Sequence, residues 1–148
     1  MLLVREIKEN FGRYVLGLRK RGILDPDEQL RHIIDLDDQR KEVHGTLDDV
    51  LSRSNQLSKK IGALMQSGHK VEAQKIKLET AEIKERGNAL FEQLQDIKKR
   101  LKEKLYELPN IPNEKVVVGQ SEEDNELLFQ KGDFPQLEIY HQPHWELI

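Results

Sequence analysis

Aliphatic residues recur along this chain in alternating steps of three and four. From Ile33 the steps fall on Ile33, Leu36, Arg40, Val43, Leu47, Val50, Ser54, Leu57, Ile61 and Leu64, and eight of these ten are aliphatic. A heptad seam held this long is the signature of a coiled-coil helix. A second run falls on Ala73, Ile76, Thr80, Ile83, Gly87, Leu90, Leu94, Ile97, Leu101 and Lys104, with Leu105 beside the last. The two runs mirror each other about the segment MQSGHK. Leu64 faces Ala73, Ile61 faces Ile76, Val50 faces Gly87, and Leu36 faces Leu101. Gly68 supplies the residue that tolerates positive φ at a helix end. A short connection makes consecutive helices antiparallel neighbours. The pattern therefore predicts a helical hairpin over about residues 29–107, turning at about 65–71. At 1.5 Å per residue each arm reaches roughly 50 Å.

Besides Lys104 at the end of the second run, four seam positions are not aliphatic: Arg40, Ser54, Thr80 and Gly87. They are read as register-setting or tolerated positions. Arg40 is expected to reach a carboxylate such as Asp37 while its stem covers the seam. Gly87 costs about 1 kcal/mol against alanine and is expected to mark a slight bend.

The flanks differ in texture. Residues 5–21 read as one helical stretch with Phe11, Tyr14, Val15 and Leu18 on one face. DPDE at 25–28 reads as a helix start, with Asp25 as candidate cap and Pro26 in the first turn. The prolines of LPNIP end the long pattern after Leu108. EKVVVG and ELLFQKG read as short strands around a solvated acidic loop, SEEDN. The expected class is mainly α: a long antiparallel two-helix coiled-coil hairpin on a small α+β base of residues 1–24 and 109–148. Residues 1–108 form the helical segment and arm. Residues 109–148 form a linker with short strands.

Composition supports this shape. Charged residues make up 34% of the 148, hydrophobic ones 36%, and aromatics only 5%. That suits long helices burying one narrow stripe each better than a large core. There is no cysteine, which removes disulfides, thiolate metal sites and cysteine nucleophiles. The start, MLLVREIKEN, meets charge at Arg5 and does not read as a signal peptide. No apolar run approaches the roughly 20 residues of a membrane span. The expected compartment is the cytoplasm.

Net charge is −3, yet residues 53–86 hold eight Lys and Arg against four acids. Residues 109–148 hold two against eight. The basic excess is local to the far half of the hairpin. A local basic patch attracts polyanions even on an acidic chain. Other chemistry has little support. His141 and His144 are three apart without a third ligand at metal spacing. There is no Gly-rich phosphate loop and no nucleophile motif.

Several segments, in order, resemble the N-terminal tRNA-binding domain of seryl-tRNA synthetases. REIKEN followed by RKRG at 19–22 is similar to the family's opening. LDDQRKEV at 36–43 resembles its first arm segment, and RSNQLSKKIG at 53–62 its Asn-x-x-Ser-Lys-x-Ile-Gly stretch, here Asn55, Ser58, Lys59, Ile61 and Gly62. LPNIPNEKVVVGQSEEDN at 108–125 and HWEL at 144–147 resemble the link to the catalytic body, whereas 132–144 is only loosely similar.

The resemblance implies that the arm grips the long variable arm of serine tRNA. RNA helices are recognised mostly through shape, phosphates and 2′-hydroxyls. The candidate contacts are Arg53, Asn55, Ser58, Lys59 and Lys60 on the first helix. Lys70, Lys75, Lys77, Lys84 and Arg86 lie at the turn or on the second. The same charges also suit a solvated coiled-coil surface. No catalytic or metal-binding residue is expected here. ATP and Mg are implied only for a full-length parent, whose class II catalytic domain would follow Ile148. The parent is expected to be a homodimer and this chain a monomer. Two other functions stay open: a free-standing tRNA-binding relative without catalysis, and an adaptor coiled coil binding a protein. The second would expose apolar surface outside the seam, at Ile34, Leu51, Met65 and Leu78.

Overall fold

The structure, a computed structural model, describes residues 2–119, 121–133, 136 and 141–146. Four α-helices follow in order: α1 (Val4–Glu9), α2 (Phe11–Lys20), α3 (Pro26–Gln66) and α4 (Lys70–Glu107). Helices α3 and α4 are 41 and 38 residues long. At 1.5 Å per residue the hairpin they form is roughly 60 Å long.

The two heptad stripes are the buried stripes. From residue 47 to residue 100 every described residue that is buried or half-buried is a predicted seam position. The polar seam residues Ser54 and Thr80 are buried with the rest. Thr80 Oγ1 donates to the Ile76 carbonyl at 2.7 Å, so its hydroxyl is satisfied within the helix. The predicted mirror pairing holds at its weakest position. A Cβ added at Gly87 would lie 3.5 Å from Val50 Cγ1, an ordinary van der Waals distance. Helix α4 runs through Gly87 without interruption. Gly87→Ala is therefore expected to stabilise the hairpin by about 1 kcal/mol, through helix propensity alone. A melting curve followed by circular dichroism checks this; a lower midpoint would mean that the helices pack more tightly here than 3.5 Å indicates.

The turn occupies residues 67–69. Gly68 has φ +82°, the left-handed region that a side chain disfavours. His69 N donates to Leu64 O at 2.9 Å and Gly68 N to Met65 O at 3.4 Å. This 6→1 and 5→2 pair is the Schellman arrangement, which satisfies the last carbonyls of α3. The same device ends α2. Gly22, at φ +73°, is flanked by bonds from Ile23 N to Leu18 O and from Gly22 N to Arg19 O. Helix α3 starts at Pro26, as predicted, but Asp25 caps it through its backbone. The Asp25 carbonyl accepts from Glu28 N and Gln29 N, while its carboxylate makes no capping bond.

The base departs from expectation in two ways. The single helix expected over 5–21 is two helices broken at Asn10, whose φ and ψ are −130° and 39°. Asparagine competes with the helix for its own backbone bonds; here its side-chain amide donates to the Glu6 carbonyl at 3.4 Å. The break lets both short helices face the root of the hairpin. Ile7, Tyr14, Val15 and Leu18 join Leu30, Ile33, Leu36, Leu101 and Leu105 in one core. Gly17 sits where Ile111 docks; a Cβ there would fall 2.7 Å from Ile111 Cβ.

The two expected strands are not strands, and the base is helical rather than α+β among the described residues. Lys20 Nζ donates to the carbonyls of Glu114 and Val116, at 3.3 and 3.2 Å, taking acceptors that a ladder would use. Leu127, Leu128 and Phe129 are 75–79% exposed, so nothing among the described residues covers the second run. Strand propensity sets a local conformation, but a strand also needs a partner. The acidic loop is a 3₁₀ turn at Glu122–Asp124, closed by the reciprocal capping of Ser121 and Asp124.

A charged cluster pins the hairpin to the base. Asp37, only 6% exposed, accepts from Arg40 NH2 and from Lys41 Nζ, both at 2.8 Å. The Arg40–Asp37 pair is the one expected from the sequence. Lys8 of α1 pairs with Asp38 and reaches Asp37 at 3.8 Å. Burial pushes the Asp37 carboxyl up, but the hydrogen bonds and charges of Lys41 and Arg40 outweigh it and hold it below the usual carboxylate range. The sign follows from linkage. A depressed folded-state value adds stability that is complete above the unfolded value, about 3.9, and is lost as pH falls through the folded one. Asp37→Asn should therefore lower the melting midpoint at pH 7, and the gap to the wild type should close below about pH 4. A gap independent of pH would show that the carboxylate charge is immaterial.

Candidate nucleic-acid interface

An antiparallel coiled coil has two long edges, one on each side of its seam, and heptad position assigns every exposed residue to an edge or to a back. Residues just after the Leu57-type seam positions face those just after the Ile76-type positions. A groove of about 330 Å³ lined by Ser58, Ile61, Lys77, Thr80, Ala81 and Lys84 shows this pairing directly. Residues just before the Ser54-type positions face those just before the Thr80-type positions. The Arg53–Glu79 ion pair, at 3.3 Å, spans this second edge.

The ten candidate residues divide between these surfaces. Asn55, Ser58, Lys70, Lys77 and Lys84 fall on the first edge. Arg53, Lys60, Lys75 and Arg86 fall on the second. Lys59 lies on the outer back of α3. All ten are exposed.

The edges differ in charge. Between residues 51 and 98 the first edge has no acid. It holds Lys70, Lys77, Lys84 and Lys98, spaced by whole heptads or two heptads, so successive steps are about 10.5 Å or its double. Beside them stand the amides Asn55, Gln74, Asn88 and Gln95. The small residues Ser58, Gly62 and Ala81 leave the helix backbones close to the surface. The second edge mixes signs: Glu72, Glu79 and Glu82 sit among its four cations. Arg53, paired to Glu79, has part of its charge already answered.

Sequence reasoning missed Gln74, Asn88, Gln95 and Lys98. The signal was present, because lettering the heptads from the seam already separates the edges. Counting charge by segment merged them. Of the four apolar residues that a protein-binding coiled coil would expose, Leu51 and Met65 share an exposed edge and the others lie apart. Ile34 packs against the base core. Leu51 and Met65 fall on the lysine edge, and Leu78 on the back of α4.

A long rod with one cationic edge, carried on a small helical base, defines this as a helical-arm domain. The chain belongs to the seryl-tRNA synthetase N-terminal domain family, whose family model matches residues 1–112. It is 38% identical over 147 residues to a serine–tRNA ligase of Salinibacter ruber, a match covering 99% of this chain and 34% of that protein. It is 33% identical over 152 residues to the serine–tRNA ligase of Rippkaea orientalis, covering 99% and 35%. Among solved structures it is similar to the seryl-tRNA synthetase of Pyrococcus horikoshii complexed with ATP. There the TM-score is 0.72 and the identity 27%, over 84% of this chain and 27% of the other. The chain thus spans about a third of the length of the relatives it matches. Among the described residues no helix is long and apolar enough to cross a membrane.

Proposed function

We propose that this chain is the tRNA-binding arm of a serine–tRNA ligase and that its lysine edge takes the long variable arm of serine tRNA. One observation supports this above the others: between residues 51 and 98 the arm of a family member has four lysines and no acid along one edge. Lys70, Lys77 and Lys84 act as phosphate contacts. Ser58, Asn55 and the neighbouring amides hydrogen-bond to phosphate or ribose. Such contacts fix position and carry little base information. The cations of the other edge add to the far field but face acids of their own.

Attachment of serine with ATP belongs, in this reading, to the remaining two thirds of the relatives' length. The described residues offer no group of three His, Cys, Asp or Glu side chains placed to hold a cation. In this reading the role of this chain is to bind and orient RNA. The working compartment is the cytoplasm, the chain alone is a monomer, and the whole ligase is a homodimer.

The test is a low-salt titration with two RNAs, a serine tRNA and the same tRNA without its long variable arm. Binding that requires the arm supports the reading. Equal weak binding to both reduces the lysine edge to nonspecific charge and overturns it.

A further inference from the structure

Three large apolar side chains are exposed on the lysine edge: Leu51, Met65 and Phe91. Phe91 is 54% exposed and Leu51 49%. On a rod this polar, an uncovered phenyl ring in the middle of a cationic track calls for a partner. Phe91 lies one heptad from Lys84 on one side and one heptad from Lys98 on the other, about 10.5 Å each way. Leu51 follows Val50 and Asn88 follows Gly87, and Val50 faces Gly87 across the seam. Leu51 and Asn88 therefore flank the same stretch of groove beside Phe91.

We propose that Phe91 is a stacking seat for one unpaired base of the bound RNA. The inference rests on the RNA-grip reading above and adds a contact of a different kind to it. Unstacked nucleotides present a flat apolar face between two phosphates. Phe91 presents a flat apolar face between two lysines of its own helix, and the acid across the groove at its level, Asp48, is 3.1 Å from His44. Single-stranded bases stack on aromatic side chains whatever their identity. Asn88, one turn away, offers both a donor and an acceptor to the edge of the base. Charge complementarity with the lysines selects RNA over a second coiled coil, whose own surface would have to be acidic throughout.

Stacking is uncharged, and this separates it from the phosphate contacts. The experiment compares Phe91→Ala, Phe91→Leu and Phe91→Trp with the wild type, each titrated with serine tRNA over a salt series, with helicity checked by circular dichroism. Phe91→Trp is made with Trp145→Phe so that one indole reports. Alanine and leucine variants should bind roughly tenfold more weakly at every salt concentration, with the salt slope unchanged. The tryptophan variant should bind as the wild type does, and its fluorescence should fall on binding. Affinity within twofold of wild type for Phe91→Ala overturns the proposal. So does full rescue by leucine, which would mean simple packing. Loss of self-association with RNA binding intact would assign the ring to a protein contact and overturn it as well. Wild type that fails to bind any tRNA defeats the grip reading itself, and this proposal with it.

Discussion

Replacing Lys70, Lys77 and Lys84 together with alanine should weaken binding of serine tRNA by roughly a hundredfold or more at 0.1 M salt. Each phosphate contact contributes about 0.7–0.9 to the slope of log K against log salt. Over the decade from 1 M to 0.1 M salt that is about five- to eightfold per contact, and three contacts multiply. The slope should therefore drop by about two units or slightly more, which is a second readout independent of the affinity. The comparison that gives this force is the same triple replacement at Arg53, Lys60 and Arg86. It removes equal charge from the same half of the arm, yet should cost only a fewfold, because Glu79 and Glu72 share that edge. Equal losses from the two triples would show that the RNA senses total charge, and the division into edges would fail.

Leu36→Ala should lower stability by about 3 kcal/mol, within the range for a fully enclosed leucine. Leu36 is 1% exposed and sits where the root of α3 meets α1, α2 and the end of α4. For a chain of this size that corresponds to a fall in melting midpoint of about 10 °C. Ile61→Ala, near the tip, removes a half-buried side chain and should cost less than half as much. Thermal melts of the two variants decide the point. If Ile61→Ala proved the more damaging, stability would reside in the rod, and the base would be its passenger.

These expectations draw on parts of the fold that the sequence shows unequally. The hairpin was legible because its signal is periodic and local. Ile33 to Leu64 and Ala73 to Leu101 repeat one instruction, and Gly68 marks where it stops. The Arg40–Asp37 pair was legible for the same reason, being three residues apart on one helix. The base was less so. Nothing in REIKENFGRY announces that Asn10 breaks the helix, because the break is favourable only when Ile7 and Tyr14 can both turn toward Leu36. The Val116–Val118 run has strand propensity, but pairing is a property of two segments, and Lys20 occupies carbonyls there instead. The candidate site lay between these cases. Its residue types and its half of the arm were plain. Its division into a lysine edge and a mixed edge needed the seam fixed first.

The cluster at Asp37 has a further consequence. Seen mechanically it is a bearing at the foot of a lever about 60 Å long. Rotation by 10° at the root carries the tip through roughly 10 Å, about one heptad of lysine spacing. In the proposed grip, where the lysines meet phosphates would thus be set as much by Lys8, Asp37 and Asp38 as by the lysines themselves. A substitution that leaves every RNA-facing side chain intact but loosens this joint would blur the aim of the arm without weakening its grip.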